Sequence, residues 1–378
     1  MKKLVFALVA FAVTTPAWAQ FGAIDRAINN AQKAKKLADL NISDAEERQI
    51  GDQVSAQLIA RFGVFQDPEV TKYVTLVGSV LTQVSAKPNL QWEFIVLDTD
   101  GVNAFAAPGG FVFVTRGLLG LMKNEAELAG ALGHEVIHIT ARHSINAIKK
   151  GNVISLGADE VSAQGGLGQG VITRIAQRAY SDIVDNKFSR DDEKESDENG
   201  VQLANKVGYA PGGLSTTLTK VLERNKDQKE PNGIYASHPA LKERITNIDK
   251  LIVAKKLSAS ALAAERYGKY ITFDVKPLAD IASTDDSGAR GLAGDNGKST
   301  EPAKSEEKKE EKKEEKKRGF GLGNLLSGGS QASNQQASAS AGARGVGPDR
   351  SATGGTNRTK VPVKLERAEL DEFRKGIA

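Results

Sequence analysis

The chain has 378 residues, with 51 lysines and arginines against 47 aspartates and glutamates, and a formal net charge of +4. So small a positive excess gives no argument for a nucleic-acid partner. The absence of cysteine excludes disulfide bonds, thiolate metal ligands, a cysteine nucleophile and lipid attachment at a cysteine. Any metal site in this chain must therefore use nitrogen and oxygen ligands.

The first 19 residues have the pattern of an export signal. Lys2 and Lys3 precede an apolar run over residues 4–13, and Ala17-Trp18-Ala19 provides small residues for cleavage. We predict that residues 1–19 are a signal peptide that is cleaved after Ala19. No segment has the roughly 18 uninterrupted apolar residues that spanning a membrane requires. An exported chain without disulfides is typical of the bacterial envelope, so we predict a periplasmic protein.

Local patterns predict a mostly helical domain over residues 43–282 with a small sheet, preceded by a leading segment over residues 20–42. Ser43 and Glu46 form a capping-box pattern at the start of a helix that reaches toward Arg61. Beyond it, the predicted elements are a helix over residues 69–84, strands over 91–97 and 111–115, a turn-rich link over 103–110 between them, and helices over 171–180, 190–207, 213–225 and 240–256. Residues 151–170 are rich in glycine, and both a mobile lid and a surface insertion fit that composition.

The composition changes at about residue 283 to serine, glycine, alanine, asparagine and charged residues. Such a segment buries too little apolar surface to fold, so we predict a disordered tail over residues 283–360. Within it, residues 304–318 alternate blocks of glutamate and lysine and fit either a single exposed helix or an extended chain. Residues 361–378 regain helical apolar spacing. They can form a helix that docks on a partner or on the protein itself, or a frayed helix without function.

The most informative motif is His134-Glu135-Val136-Ile137-His138, which has the H-E-x-x-H pattern. On a helix, positions i and i+4 share one face, so His134 and His138 can both bind one Zn²⁺ ion. Glu135 points to another side of the helix and is free to act as a general base. Residues 124–132 lead into the motif with apolar residues at helical spacing, which predicts a buried helix. The competing interpretation is an exposed helix that carries two histidines by chance.

Catalytic zinc usually has three protein ligands, and His143 is the nearest further histidine. The pattern H-E-x-x-H-x-x-G-x-x-H would require glycine at position 141 and histidine at position 144, where this chain has Ala141 and Ser144. We therefore predict that His143 has a structural or ligand-supporting role on the continuation of the same helix.

A carboxylate from the acid-rich residues 189–200 is the alternative third ligand. Glu193 and Asp197 lie one helical turn apart and share a face. Glu193 can bind zinc while Asp197 accepts a hydrogen bond from a ligating histidine. Composition alone does not choose between this arrangement and a solvated helix surface.

Several short motifs together resemble the HtpX-like and BepA-like zinc peptidases, a family that includes the CaaX prenyl endopeptidases. They are Asn103-Ala104-Phe105, Pro108-Gly109-Gly110, Thr115-Arg116-Gly117-Leu118-Leu119, Glu127-Leu128-Ala129, His134-Glu135-Val136-Ile137-His138, and Glu193 with Asp197. The resemblance covers about residues 43–250. It implies an α+β, mostly helical zincin-like (gluzincin) domain, with Glu193 as the third zinc ligand.

The segment Ser237-His238-Pro239-Ala240-Leu241-Lys242-Glu243-Arg244-Ile245 also matches a pattern of this family. The resemblance implies that His238 and Arg244 approach the metal, either contacting zinc in a resting state or steadying the oxyanion during turnover. The competing interpretation is a histidine-proline helix start followed by a surface arginine. Because the chain shows neither membrane-spanning helices nor a repeat of about 34 residues after Lys256, the resemblance is to the soluble periplasmic branch.

The predicted function is a zinc endopeptidase that holds one Zn²⁺ ion and cleaves unfolded or misassembled envelope proteins, including outer-membrane proteins. The apolar strand over residues 111–115 is expected to offer an edge to which an extended substrate can add. Two alternatives are a zinc-binding chaperone without proteolytic activity and an envelope assembly factor that binds partners through the C-terminal tail.

Overall fold

The computed structural model describes residues 42–150, 167–184, 188–227, 237–281 and 354–377. The predicted signal peptide, most of the glycine-rich segment and the Lys/Glu-rich part of the tail lie outside these residues, so those assignments stay predictions. All described residues fall within one compact unit. Within them, no helix combines the length and the apolar character that crossing a bilayer demands.

The described residues form a small sheet surrounded by helices. The strands are β1 Glu93–Leu97, β2 Ala104–Ala107 and β3 Phe111–Thr115. The helices are α1 Asp44–Phe62, α2 Pro68–Thr82, α3 Arg116–Leu121, α4 Glu125–Thr140, α5 His143–Lys150, α6 Gln169–Val184, α7 Arg190–Val207, α8 Gly213–Arg224, α9 Leu241–Ala254, α10 Ala264–Tyr270 and α11 Arg367–Lys375. A 3-10 turn covers Leu278–Asp280. The predicted α+β class is confirmed.

Local capping sets where two of the helices, α1 and α7, begin. The predicted capping box of α1 is present, with the Ser43 amide donating to Glu46 Oε2 at 2.8 Å and the Glu46 amide donating to Ser43 Oγ at 3.3 Å. A second capping box, between Ser189 and Asp192, begins α7. Since each box satisfies amide groups that the helix leaves unpaired, these two helix starts follow from nearby residues alone.

The sheet has the order β1-β3-β2, with β1 parallel and β2 antiparallel to β3. The expectation that residues 111–115 offer a free edge is therefore wrong, because β3 is the central strand. The edge strands are instead β1 and β2, and β2 lies inside the segment predicted to be a link. Three of its four residues are alanine, which has low strand propensity, so only pairing with β3 makes this segment a strand.

The sheet is buried on both faces. Val112 and Val114 of β3 pack into a core formed with α2, α4, α7 and α8. Phe111 and Phe113 point to the opposite face and pack against α1 and α6. Helix α4 is buried along its whole length except for its last residue, Thr140. The predicted burial of the motif helix is thus confirmed.

Two glycines allow α4 and α7 to approach closely. A Cβ atom added at Gly200 of α7 would lie 2.8 Å from the backbone nitrogen of His134 and 2.9 Å from the carbonyl carbon of Gly133. Both distances are shorter than real Cβ contacts. Because Gly133 and Gly200 have no side chains, α4 and α7 can cross in close contact. This contact places the acidic first half of α7 next to the motif histidines.

Residues 354–377, which we call the C-terminal strap, lie on the folded body. The Val64 amide donates to the Asn357 carbonyl at 2.7 Å, and Lys72 forms an ion pair with Glu369 at 2.6 Å. Leu370 and Ile377 are buried. The C-terminal helix therefore docks on the protein's own body, as one of the alternatives predicted, and partner binding through the tail stays a prediction.

Candidate metal centre

The two motif histidines face each other on one side of α4. Their Nε2 atoms lie 3.0 Å apart, and both side chains are buried. This closeness follows from the four-residue spacing, which places the rings one turn apart. The spacing alone puts both side chains on one face of the helix, whereas contacts from other elements hold the direction of each ring.

Glu193 and His238 complete a cluster of four donors. Glu193 Oε1 lies 3.5 Å from His138 Nε2, and Glu193 Oε2 lies 3.7 Å from His134 Nε2. His238 Nδ1 lies 3.3 Å from His134 Nε2 and 2.8 Å from Glu193 Oε1. The ligand atoms of all four residues lie within 4.8 Å of one another, and all four residues are buried.

The spacing of these donors fits a tetrahedral metal ion. Ligand atoms placed 2.0–2.1 Å from a tetrahedral zinc ion lie roughly 3.3 Å from one another. The contacts given above, from 2.8 to 3.7 Å, lie on both sides of that value, and all the ligand atoms lie within 4.8 Å of one another. Imidazole and carboxylate ligands suit Zn²⁺, so the residues present fit the ion that the sequence predicts.

Glu135 lies beside this cluster, but it is not one of the four residues that supply the donor atoms. Its Oε1 atom is 3.8 Å from His238 Nε2. Its Oε2 atom is buried and has no hydrogen-bond partner among the described residues. Burial raises the pKa of the Glu135 carboxyl above its ordinary value, although the nearby histidines oppose the shift. A buried carboxylate oxygen without a protein partner is free to interact with a substrate or a water molecule.

Asp197 and Arg244 lie behind the cluster of four donors. Asp197 Oδ1 is 3.0 Å from His134 Nδ1. Arg244 donates to both oxygens of Asp197, from Nη2 at 2.6 Å and from Nε at 2.8 Å, and its Nη1 lies 2.6 Å from Glu193 Oε2. This two-pronged pair fixes the Asp197 carboxylate in both position and plane. The guanidinium is buried and engaged with the two acids.

Burial and neighbouring charges shift the pKa values of the groups in this centre. Burial disfavours the charged form of Glu193, yet the positive charges of His238 and Arg244 outweigh it and hold the pKa of this carboxyl well below its usual range. Burial lowers the pKa of His138 well below its ordinary value and so favours the neutral imidazole. A neutral histidine and an ionised carboxylate are the forms that bind a metal ion.

His143 contacts the centre from a different helix than predicted. Helix α4 ends at Thr140, Arg142 adopts a left-handed backbone with φ of 61°, and His143 begins α5. The expectation that His143 continues the motif helix is therefore wrong. The turn brings its Nδ1 atom 3.0 Å from Nδ1 of His138.

Phe188 is a residue of the centre that sequence reasoning missed. Its ring lies on the His138 ring, with centroids 4.1 Å apart, and 5.9 Å from the His238 ring. A single phenylalanine before an acidic helix carries no local signal of such a role, because only the fold brings it to the histidines. All the site residues that the sequence predicted do converge here, and their individual roles stay predictions.

Comparison with known proteins shows the family of this domain. Residues 68–252 match Peptidase family M48. The chain is 27% identical to the Beta-barrel assembly-enhancing protease of Escherichia coli (strain K12), over 57% of this chain and 47% of that protein. It is 25% identical to Metalloprotease LoiP, over 57% of this chain and 84% of that protein, and 29% identical to Metalloprotease YcaL, over 61% and 88%, both from the same organism. The chain spans about half the length of the first of these relatives. Through residues 68–252, the chain belongs to peptidase family M48, a family of metallopeptidases.

Proposed function

We propose that this protein is a zinc-dependent endopeptidase that cleaves unfolded or misassembled proteins of the bacterial envelope. The observation that supports this most directly is the buried cluster of four nitrogen and oxygen donors beside the unpartnered carboxylate oxygen of Glu135. A structural metal site needs no such carboxylate, whereas hydrolysis needs a general base. Membership of a metallopeptidase family agrees with this function.

One Zn²⁺ ion per chain would be held by His134, His138 and Glu193. Bound there, it would act as a Lewis acid toward the scissile carbonyl and make a water molecule more acidic. Asp197 accepts a hydrogen bond from Nδ1 of His134, which directs the Nε2 lone pair of that ring toward the ion. Arg244 holds Asp197 and Glu193 together, so we assign it a positioning role through these carboxylates.

Glu135 is the proposed general base. Its free oxygen takes a proton from the attacking water and later delivers it to the leaving amine. His238 lies with the ligand atoms and 3.8 Å from Glu135. It is placed either to act as a fourth ligand in a resting state or to donate a hydrogen bond to the oxyanion once it moves aside.

The edge strand β2 is the proposed binding site for the substrate backbone. Among the described residues, no strand pairs with its outer edge, but all four residues of β2 are buried, so a peptide would have to displace what covers that edge. Asn103, which precedes β2, lies near the His238 segment, since Ser237 Oγ is 3.4 Å from Asn103 Oδ1. A peptide added to this edge would run past the donor cluster in an extended form. Unfolded chains offer such extended backbone, whereas folded proteins do not.

The envelope location rests on two arguments. Residues 1–19 have the pattern of a cleavable signal peptide. A relative matched over residues of this domain is named for enhancing β-barrel assembly, and on that basis outer-membrane proteins are among the substrates that we propose. The alternatives of a zinc-binding chaperone or an assembly factor that binds partners through the C-terminal tail keep the metal but need no general base.

The deciding experiment is digestion of a denatured protein by the purified chain, with and without a zinc chelator, beside the variant Glu135→Gln. We expect chelation to stop digestion and added Zn²⁺ to restore it. We expect Glu135→Gln to lose at least about 100-fold in rate while it still binds Zn²⁺, since loss of a general base typically costs that much. Glu198→Gln is the matched control, because Glu198 is a partly exposed acid on α7 whose loss should leave digestion unchanged. Digestion that resists the chelator or survives in Glu135→Gln would reject the zinc mechanism, whereas a zinc-loaded parent protein that digests nothing would favour the alternatives.

A further inference from the structure

The two motif histidines are held by different groups. His134 has a carboxylate at its Nδ1 atom, since Asp197 Oδ1 lies 3.0 Å away. His138 has another imidazole there, since Nδ1 of His143 lies 3.0 Å away. Both contacts are buried. A histidine that binds a metal through Nε2 needs an acceptor at Nδ1 to hold its tautomer and its ring direction.

We propose that His143 and Phe188 are the positioning residues of the metal ligand His138, with His143 accepting the Nδ1 hydrogen of His138 and Phe188 covering the face of its ring. This inference rests on the metal-binding role of His138 in the proposed function. It goes beyond that function because it assigns a task to two residues that do not contact the metal.

The contacts around His143 define one consistent hydrogen-bond chain. When Nε2 of His138 faces the ion, its hydrogen is on Nδ1 and must be donated. The acceptor, Nδ1 of His143, is then unprotonated, which also suits the hydroxyl of Ser196 at 3.4 Å. The hydrogen of His143 is therefore on Nε2, which lies 3.4 Å from Glu195 Oε2 and 3.7 Å from Asp192 Oδ1. Helix α7 thus supports both motif histidines, His134 directly through Asp197 and His138 through His143.

The backbone turn after α4 is what returns His143 to the ligand. Arg142 has φ of 61°, a conformation that non-glycine residues rarely adopt. Its guanidinium is tied to the buried carboxylate of Glu47 and to the carbonyl of Ile42. These contacts with the start of α1 stabilise the turn, so His143 is presented by an anchored loop.

Phe188 supplies the second constraint. Its ring lies at 36° to the His138 ring with a centroid distance of 4.1 Å, and its other neighbours are His143 at 6.5 Å and His238 at 5.9 Å. The hydrogen bond to His143 sets the direction of the His138 ring, and the packing of Phe188 restricts its rotation. A ligand fixed in both respects loses little freedom when it binds a metal.

The test is titration of the metal-free protein with Co²⁺, following its visible absorption, and then competition with Zn²⁺. We expect His143→Leu, which keeps the volume but removes the acceptor, to weaken Co²⁺ binding about 10- to 100-fold and to shift the absorption bands. We expect His143→Asn to restore most of the affinity, because its Oδ1 can accept at the position of Nδ1. Ser144→Ala, at the next residue of α5, is the control and should bind Co²⁺ as the parent does.

Two milder variants decide the question if His143→Leu does not fold. Phe188→Leu and Glu195→Gln alter a half-buried ring and a half-exposed acid, and both should weaken Co²⁺ binding and shift its spectrum. Binding and spectra that match the parent in His143→Leu, or in both milder variants, would overturn this inference. Failure of the parent protein to bind Co²⁺ or Zn²⁺ would instead reject the proposed function.

Discussion

Replacing Gly200 with alanine should disable the metal centre without touching any ligand. The new Cβ atom would lie 2.8 Å from the His134 nitrogen and 3.0 Å from its Cα, about 0.6 Å and 0.4 Å short of an ordinary contact at 3.4 Å. These neighbours are backbone atoms and cannot rotate away, so α7 must move from α4. Glu193 and Asp197 move with α7, whereas His134 and His138 stay on α4. A shift of this size moves the two carboxylates away from the two histidines, along the line between the helices.

The expected magnitude has two parts. Overpacking of this kind costs about 1–3 kcal/mol of folding stability. Misplacing Glu193 and Asp197 should weaken Zn²⁺ binding by about 10- to 100-fold, as loss of ligand support does. Thermal unfolding of the metal-free protein measures the first part, and competition for Zn²⁺ with a coloured chelator measures the second.

Gly268→Ala is the matched control for this experiment. Gly268 lies within α10, and its added Cβ atom would contact nothing within 4 Å. Because alanine favours the helix more than glycine does, this variant should be neutral or more stable by up to about 1 kcal/mol. A Gly200→Ala protein with the stability and the zinc affinity of the parent would refute the argument that close backbone packing sets the third ligand.

Other consequences of the structure can be tested in the same way. Arg244→Lys keeps the charge but loses the two-pronged contact with Asp197, so Zn²⁺ binding measured by competition should weaken by at least about tenfold. Chelation should lower the melting temperature, since free Zn²⁺ at 100 times its dissociation constant adds about 2.7 kcal/mol to stability; an unchanged melting temperature would argue against a site that binds in the folded state. Burial raises the pKa of Glu135 above its ordinary 4.5, and a general base must be unprotonated, so kcat/KM should fall as the pH drops through this raised value. A profile that stays flat to pH 4.5 would contradict that role. Ile377→Ala should cost about 2 kcal/mol in thermal unfolding because Ile377 is buried, whereas a strap that contributes nothing would leave the transition unchanged.

Elements whose signals lie within a few residues could be predicted closely. Strand β3 and helix α7 have the bounds expected, and α4 is buried as its apolar spacing predicted. The pairing of His134 with His138 needs only one helical turn. Family resemblance then singled out Glu193, His238 and Arg244 as residues of the candidate metal site, a choice that spacing alone left open.

Elements that depend on distant partners were predicted wrongly or missed. The central position of β3 depends on pairing with two other strands, and β2 is a strand only because β3 lies beside it. Nothing near residue 142 indicates that the motif helix ends and turns there, since the contacts that hold the turn come from residues 42 and 47.

The sequence by itself therefore determined the class of the fold, the motif helix with its two histidines and its adjacent glutamate, and the acidic helix that carries the proposed third ligand. Only the tertiary structure decided how these groups meet. It brought α7 onto α4 at Gly133 and Gly200, turned His143 back onto His138, and placed Phe188 over the same ring. The physical reason is the distance along the chain over which each interaction acts. Hydrogen bonding and periodicity along one helix act over about four residues, whereas contacts between helices depend on the packing of the whole core.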